Sequence, residues 1–184
     1  MQYLDNIHIK LLPKAMTVLL LSIALIVTSS MLYWALSMKL YPGAVDKSNI
    51  TAQQRERELV CLAKNIYYEA GNEPFEGKVA VAQVTLNRAQ HEDFPKDICK
   101  VVYQKNIFYA KTVCQFSWYC DRQALMRPVD SETYQESMIV AKKVLLEGFR
   151  LPSLHDALFY HANYVNPNWK KKRIVQVGRH IFYE

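Results

Sequence analysis

Between Lys14 and Lys39 the chain carries no charged residue, and the stretch includes Val18-Leu19-Leu20-Leu21 and Ile23-Ala24-Leu25-Ile26-Val27. About 20 such residues cross the hydrocarbon core of a bilayer. Residues 15–38 are therefore expected to form a transmembrane helix, and whatever follows must fold as a unit of its own. A cleaved leader would have a shorter apolar core and a small-residue exit. Here the exit reads Tyr33-Trp34-Ala35-Leu36-Ser37-Met38-Lys39, with aromatics at interface depth. That favours an uncleaved signal anchor over one that leaves the membrane. Lys10 and Lys14 precede the span and Lys39 and Lys47 follow it, so flanking charge hardly sets its direction.

The cysteines say more about compartment. Cys61, Cys99, Cys114 and Cys120 all follow the span, and an even number suits two disulfides in an oxidising space. This places the domain in the periplasm or cell-wall space, on a single-pass protein of the cytoplasmic membrane. Cys114 and Cys120 are near enough to close a small loop, which leaves Cys61 for Cys99, although four cysteines allow three pairings. A zinc site would need Cys-x-x-Cys or His-x-x-x-His spacing. Neither occurs, and His91, His155, His161 and His180 are scattered, so no metal and no cofactor are expected.

The expected organisation is a short tail (1–14), the anchor (15–38), a linker (39–50) and one domain (51–184). The linker reading rests on Pro42, Gly43 and the small polar residues after them. Thr51-Ala-Gln-Gln54 has the form of a capping box opening a helix. Its apolar positions Leu59, Leu62, Ala63, Ile66, Tyr67 and Ala70 keep a 3.6 period, and Gly71 is expected to end it as a C′ glycine. Pro74 introduces a second helix, 76–90. Val79 to Leu86 nearly encircle that helix with apolar side chains, so it is expected to be central and buried. A short helix over 95–103 and an irregular stretch over 104–128 follow. A further helix capped by Asp130 or Ser131 has Tyr134, Met138, Ala141 and Leu145 inward, with Gly148 as its stop. Residues 157–161, 173–177 and 180–183 read as strands, the last two joined at Gly178-Arg179. The fold class is α+β: helix-dominated, with a small sheet.

Net charge is +6, and a basic surface suits an anionic polymer such as nucleic acid, an acidic membrane or cell-wall glycan. No nucleic-acid-binding motif is visible, which ranks that partner low. Twelve Tyr and three Trp suit either sugar contacts or plain core packing.

Glu69 breaks a local rule. It lies in the last turn of its helix, where the macrodipole disfavours an anion, on the flank of the apolar stripe. Both influences push a carboxyl towards the protonated state that a general acid needs. Glu73 follows past the turn, and a nearby pair of carboxylates invites the two-carboxylate scheme of glycoside hydrolysis. A substrate amide or the next loop's backbone are its other possible partners. Gln83 and Asn87 sit i, i+4 on the apolar helix, as core hydrogen bonders or as cleft-lining groups. Gln115, Ser117 and Trp118 belong to a stretch mixing amide, hydroxyl and ring, which fits a sugar subsite or a disulfide-pinned loop. No Gly-x-Ser-x-Gly elbow surrounds Ser117, so it is not a nucleophile. Tyr160, His161 and Asn163 end a strand, a common place for substrate contacts. Lys170-Lys-Lys-Arg173 reads as a solvated turn or as a patch with affinity for an anionic wall.

Cys61-Leu-Ala-Lys-Asn-Ile-Tyr-Tyr-Glu-Ala-Gly-Asn-Glu-Pro-Phe-Glu-Gly-Lys-Val-Ala-Val-Ala-Gln-Val-Thr-Leu-Asn-Arg88 resembles the opening motif of the SleB-type cell wall hydrolases, the family of the spore-cortex-lytic enzyme. Phe94-Pro95, Val101-Val-Tyr-Gln104, Cys114-Gln-Phe-Ser117 and Cys120-Asp121 continue the likeness in order. Ala157-Leu-Phe-Tyr-His-Ala-Asn-Tyr-Val-Asn-Pro-Asn-Trp169 and Val177-Gly-Arg-His-Ile-Phe-Tyr183 close it, so that it covers roughly 56–184. The resemblance implies a lysozyme-like or transglycosylase-like fold and cleavage of the MurNAc–GlcNAc β-1,4 bond of peptidoglycan. It places the catalytic acid at Glu69. The chain departs from the family pattern at Asn72 and Lys78; the first bears on the turn after the helix and leaves the acid untouched. A single acid suits a lytic transglycosylase, with water-driven hydrolysis helped by Glu73 or Asp121 as the near alternative. A silent wall-binding anchor is the rival class.

Overall fold

The structure, a computed structural model, describes residues 14–40 and 51–184. The expected tail up to residue 13 and the linker segment 41–50 lie outside the described residues. The chain divides into two units, Met1–Pro42 and Gly43–Glu184.

The first unit contributes α1, Lys14–Leu40. Its described side chains are all exposed. Ser22, Thr28, Ser29 and Ser30 donate their hydroxyls to carbonyls three or four residues back, so these polar groups are satisfied within the helix. Over the described residues no helix is long and apolar enough to cross a membrane. The transmembrane anchor expected over 15–38 is therefore unsupported by the structure.

The second unit is built on α2, Ala52–Ala70, and α3, Phe75–Gln90. Thr51 caps α2 by accepting from the Gln54 amide at 3.1 Å, but the side chain of Gln54 turns to Glu58. The expected capping box is thus half realised. Gly71 does not take the left-handed form expected of it. It stays right-handed (φ −53, ψ −38), and what excludes a larger residue is space: a Cβ there would lie 2.5 Å from the Tyr67 carbonyl oxygen.

Helix α3 is the central helix, buried on two sides. Val79, Ala82 and Leu86 pack into a core shared with α2, α4 (Ile98–Val102) and α6 (Ser131–Leu145), whereas Ala80 and Val84 meet Leu154, Ala157 and Phe182. That double contact is why apolar residues encircle it. Helix α4 begins later than expected, because Asp97 caps it by accepting from the Lys100 amide at 2.9 Å.

The stretch expected to be irregular holds a hairpin, β1 (Lys105–Phe108) with β2 (Lys111–Cys114), then a 3-10 turn at Ser117–Tyr119 and α5, Arg122–Met126. The hairpin turn is Tyr109-Ala110, both with positive φ (48° and 62°). Such turns normally announce themselves with Asn-Gly or Asp-Gly, so the sequence offered no signal.

Strands β3 (Phe159–Ala162), β4 (Arg173–Val177) and β5 (His180–Tyr183) form an antiparallel sheet in the order β3-β5-β4. Gly178, at φ +55, makes the turn between the last two. Disulfides join Cys61 to Cys99 and Cys114 to Cys120.

Candidate active site

A cleft of about 470 Å³ opens beside the end of α2. Its walls come from Tyr67 to Glu73, from Ser117 and Trp118 on the 3-10 turn, from Asp121, Ala124, Arg127, Asp130 and Thr133, and from Arg179 on the β4–β5 turn. The Cys114–Cys120 link closes the loop that carries Ser117 and Trp118.

Glu69 lies in this cleft, half-buried. The Tyr160 hydroxyl, reaching from β3, donates to its Oε2 at 3.0 Å. Burial pushes the Glu69 carboxyl above its usual pKa, against the opposing pull of the Tyr160 hydrogen bond and the Arg88 charge. The group is thus biased towards the protonated acid while keeping a donor ready for its anion. Tyr160 itself is held well above the ordinary phenol value, by burial first and by Glu69 next. It therefore serves as a lasting donor.

Beneath the pair lies Arg88, 4% exposed. Its Nε donates to the Leu158 carbonyl at 2.7 Å, and its guanidinium faces the rings of Phe94, Phe116 and Phe159 at 5.3 to 5.9 Å. With its amide oxygen facing Arg88, Gln115 accepts from both terminal nitrogens at 3.1 and 3.3 Å. A guanidinium cannot shed its proton, so Arg88 is a permanent charge behind Glu69.

Glu73 is buried and fully engaged. Its oxygens accept from the Arg179 backbone amide at 3.0 Å and from Arg179 Nε at 2.7 Å. Burial alone would raise its pKa, but the two Arg179 hydrogen bonds and the charges of His180 and Arg179 outweigh it and hold the carboxyl below its usual value. Asp121 is engaged as well, capping α5 by accepting from the Gln123 and Ala124 amides at 2.8 and 3.2 Å. His180, 8% exposed, sets its ring edge-on to Tyr160 at 5.3 Å. Burial lowers its pKa despite Glu73 nearby.

Of the residues singled out from the sequence, Glu69, Glu73, Ser117 and Trp118 line the cleft, Tyr160 reaches Glu69, and Gln115 backs Arg88. Trp118 is mostly core: its ring stacks on Tyr68 at 4.4 Å and its indole N–H donates to Asn65 at 3.0 Å. Gln83 and Asn87 are corrected to internal hydrogen bonders. Gln83 pairs with the backbone of Leu151 at 3.1 and 2.7 Å, and the Asn87 amide serves the carbonyls of Leu154, His155 and Ala157. His161 and Asn163 do not line the cleft either. His161 shares a 2.8 Å contact with the Tyr183 hydroxyl, on the sheet face opposite Tyr160, and Asn163 uses its backbone amide on the Arg179 carbonyl at 2.8 Å. Sequence reading missed Arg88 and Arg179. Arg88 could have been noticed as one of two cations, with Lys78, on an otherwise largely apolar helix; Arg179 carries no local signal.

A cleft with a desolvated carboxyl on such a fold defines a class, and the sequence family of cell wall hydrolases matches residues 72–183. The chain belongs to that family. Among curated proteins it is similar to the spore cortex-lytic enzyme of Bacillus subtilis, 31% identical over 144 residues, covering 74% of this chain and 41% of that protein. The spore cortex-lytic enzyme of Oceanobacillus iheyensis is 30% identical over 147 residues, covering 76% and 46%. The chain thus spans less than half the length of these relatives. Among solved structures, the catalytic domain of the Bacillus cereus SleB protein superposes with a TM-score of 0.51 at 25% identity, covering 74% of this chain and 94% of that one. The catalytic domain of the germination-specific lytic transglycosylase SleB from Bacillus anthracis gives 0.52 at 27%, covering 74% and 98%. The helix-dominated α+β fold is the fold of those domains.

Proposed function

We propose that this chain cleaves the MurNAc–GlcNAc β-1,4 bond of peptidoglycan as a lytic transglycosylase, with Glu69 as its single general acid and base. The observation that carries this reading is the contrast among the carboxylates of the cleft. Among the described residues, Glu69 is desolvated and takes its hydrogen bond from Tyr160, whereas Glu73 and Asp121, the helpers a hydrolytic scheme would use, are already bound to Arg179 and to the start of α5.

Protonated Glu69 gives its proton to the glycosidic oxygen as the bond to the muramic anomeric carbon breaks and an oxocarbenium-like centre develops. The resulting carboxylate, steadied by the Tyr160 hydroxyl and by Arg88, takes the proton of the muramic 6-hydroxyl. O6 then bonds to the anomeric carbon, closing a 1,6-anhydro ring and restoring protonated Glu69 without consuming water. The relatives, a germination-specific lytic transglycosylase and spore cortex-lytic enzymes, support this chemistry. Mass spectrometry of digested sacculi tests it: anhydro ends are expected, and reducing ends bearing water would replace the scheme with hydrolysis. Glu69→Gln is expected to lower the rate by about 10²–10⁴-fold, the usual worth of a positioned acid–base group; full cleavage by that variant would remove Glu69 as the acid, whereas sacculi bound but left uncut by parent and variant alike would leave a wall-binding anchor as the reading.

The same proposal tethers the domain to the cytoplasmic membrane through residues 15–38, with its disulfides on the oxidising side. Support comes from the uncharged sequence between Lys14 and Lys39. Alkaline carbonate extraction tests it, since a chain released from membranes by that treatment has no spanning helix.

A further inference from the structure

The outer face of the three-stranded sheet carries chemistry that the cleft does not use. Side chains alternate along a strand, so Tyr160 and Phe182 turn towards the core while Phe159, His161 and Tyr183 share the opposite face. Trp169, on the connection between β3 and β4, stands edge-on to all three, with centroids 6.3, 5.5 and 5.8 Å away, and keeps 41% of its surface in solvent. His161 stacks on Tyr183 at 5.2 Å. The rings therefore hold one another in place: Phe159, His161 and Tyr183 are half-buried, and Trp169 presents the exposed ring of the cluster.

Cations rim it. Lys170, Lys171 and Arg173 are exposed, and Lys171 Nζ lies 3.3 Å from the centre of the Phe159 ring. The neighbouring carboxylates are already met by cations or imidazole: Glu184 by Lys172 at 2.7 Å and Asp156 by His155 at 2.6 Å. Rings offer a stacking face to the C–H side of a sugar, and the uncompensated cations attract carboxylates. One polymer carries both groups in alternation: a wall glycan with its lactyl and peptide carboxylates.

We propose that this face is a second glycan-binding surface, which takes a carboxylate-bearing wall strand outside the cleft. It rests on the peptidoglycan reading above. A strand held there raises the local concentration of substrate at the cleft, because the second engagement becomes intramolecular. His161, expected from the sequence to touch substrate, meets it here and not beside Glu69.

The test is co-sedimentation of the full chain with purified sacculi, all in a Glu69→Gln background so that nothing is digested. Trp169→Ala is expected to weaken binding by roughly three- to tenfold, the scale of one lost ring-stacking contact. Lys170→Glu with Arg173→Glu leaves the rings intact and is expected to weaken it by a similar factor, which guards against a Trp169 variant that merely misfolds. Unchanged sacculus binding in both variants overturns the proposal, and if the parent chain still cleaves sacculi the assignment of Glu69 stands without it. Equal losses on sheared duplex DNA and on sacculi would make the face a general polyanion patch and would also overturn it. A parent chain that neither binds nor cleaves sacculi removes both readings together.

Discussion

Glu69 is a residue the fold tolerates at a cost. Its carboxyl is raised above the usual value by burial, so the ionised form is worse off in the folded chain than in the unfolded one. Stability is therefore expected to fall as pH rises from the ordinary carboxylate range through the raised folded value. Glu69→Gln, which loses catalysis, should for the same reason melt higher than the parent at pH 7, with the gain vanishing below the ordinary carboxylate pKa. Calorimetric Tm against pH for both proteins checks this, and a lower Tm for the variant at neutral pH would contradict the desolvation argument. Tyr160→Phe acts on the same group in the other direction. It removes the hydrogen bond that favours the Glu69 anion, so the Glu69 pKa rises further. The alkaline limb of the pH–rate profile is expected to move to higher pH while the maximal rate drops; an unmoved limb would separate Tyr160 from the acid.

At the scale of elements, the cleft is held by a clamp between two turns. The residues after α2 bring Glu73 under the β4–β5 turn, and Arg179 closes on it from that turn with backbone and side chain. Gly178 permits the approach: at φ +55, a Cβ there would come within 2.0 Å of Glu73 Oε2. Gly178→Ala is expected to cost roughly 1–3 kcal/mol in backbone strain and to displace Glu73, so urea melts should show a lower midpoint with an unchanged slope. A neutral result would mean that the turn can open without loss. The clamp also explains why Glu73, so near the acid in sequence, is a poor candidate for a second catalytic carboxylate.

Across the whole domain, the Cys61–Cys99 disulfide ties α2 to α4 over a separation of 38 residues. In the chain-entropy account a loop of that length is worth about 4 kcal/mol. Replacing both cysteines by serine is therefore expected to lower the unfolding free energy by about that much, read from denaturant titration. The Cys114–Cys120 loop spans only 6 residues, and its loss should fall more on the wall of the cleft than on global stability, since less chain entropy is removed by closing so short a loop.

What could be read before folding was the part that depends on near neighbours. The starts of α2 and α6 show in Thr51 and Asp130, the buried all-round character of α3 in the apolar residues that nearly encircle it, and the β4–β5 hairpin in Gly178. Glu69 stood out because a helix end and an apolar flank are both local facts. The β1–β2 hairpin was hidden, since Tyr109-Ala110 holds positive φ without glycine or asparagine, and only the packing of the finished domain compensates such a turn. Long-range pairing decided the rest. Tyr160 reaches Glu69 and Arg179 reaches Glu73 across about half the chain, Gln83 and Asn87 turned inward to serve the carbonyls and amide of residues 151–157, and the sheet's alternation sent Tyr160 and His161 to opposite faces. Periodicity says which side of a helix or strand is apolar; only the tertiary structure says what stands opposite it.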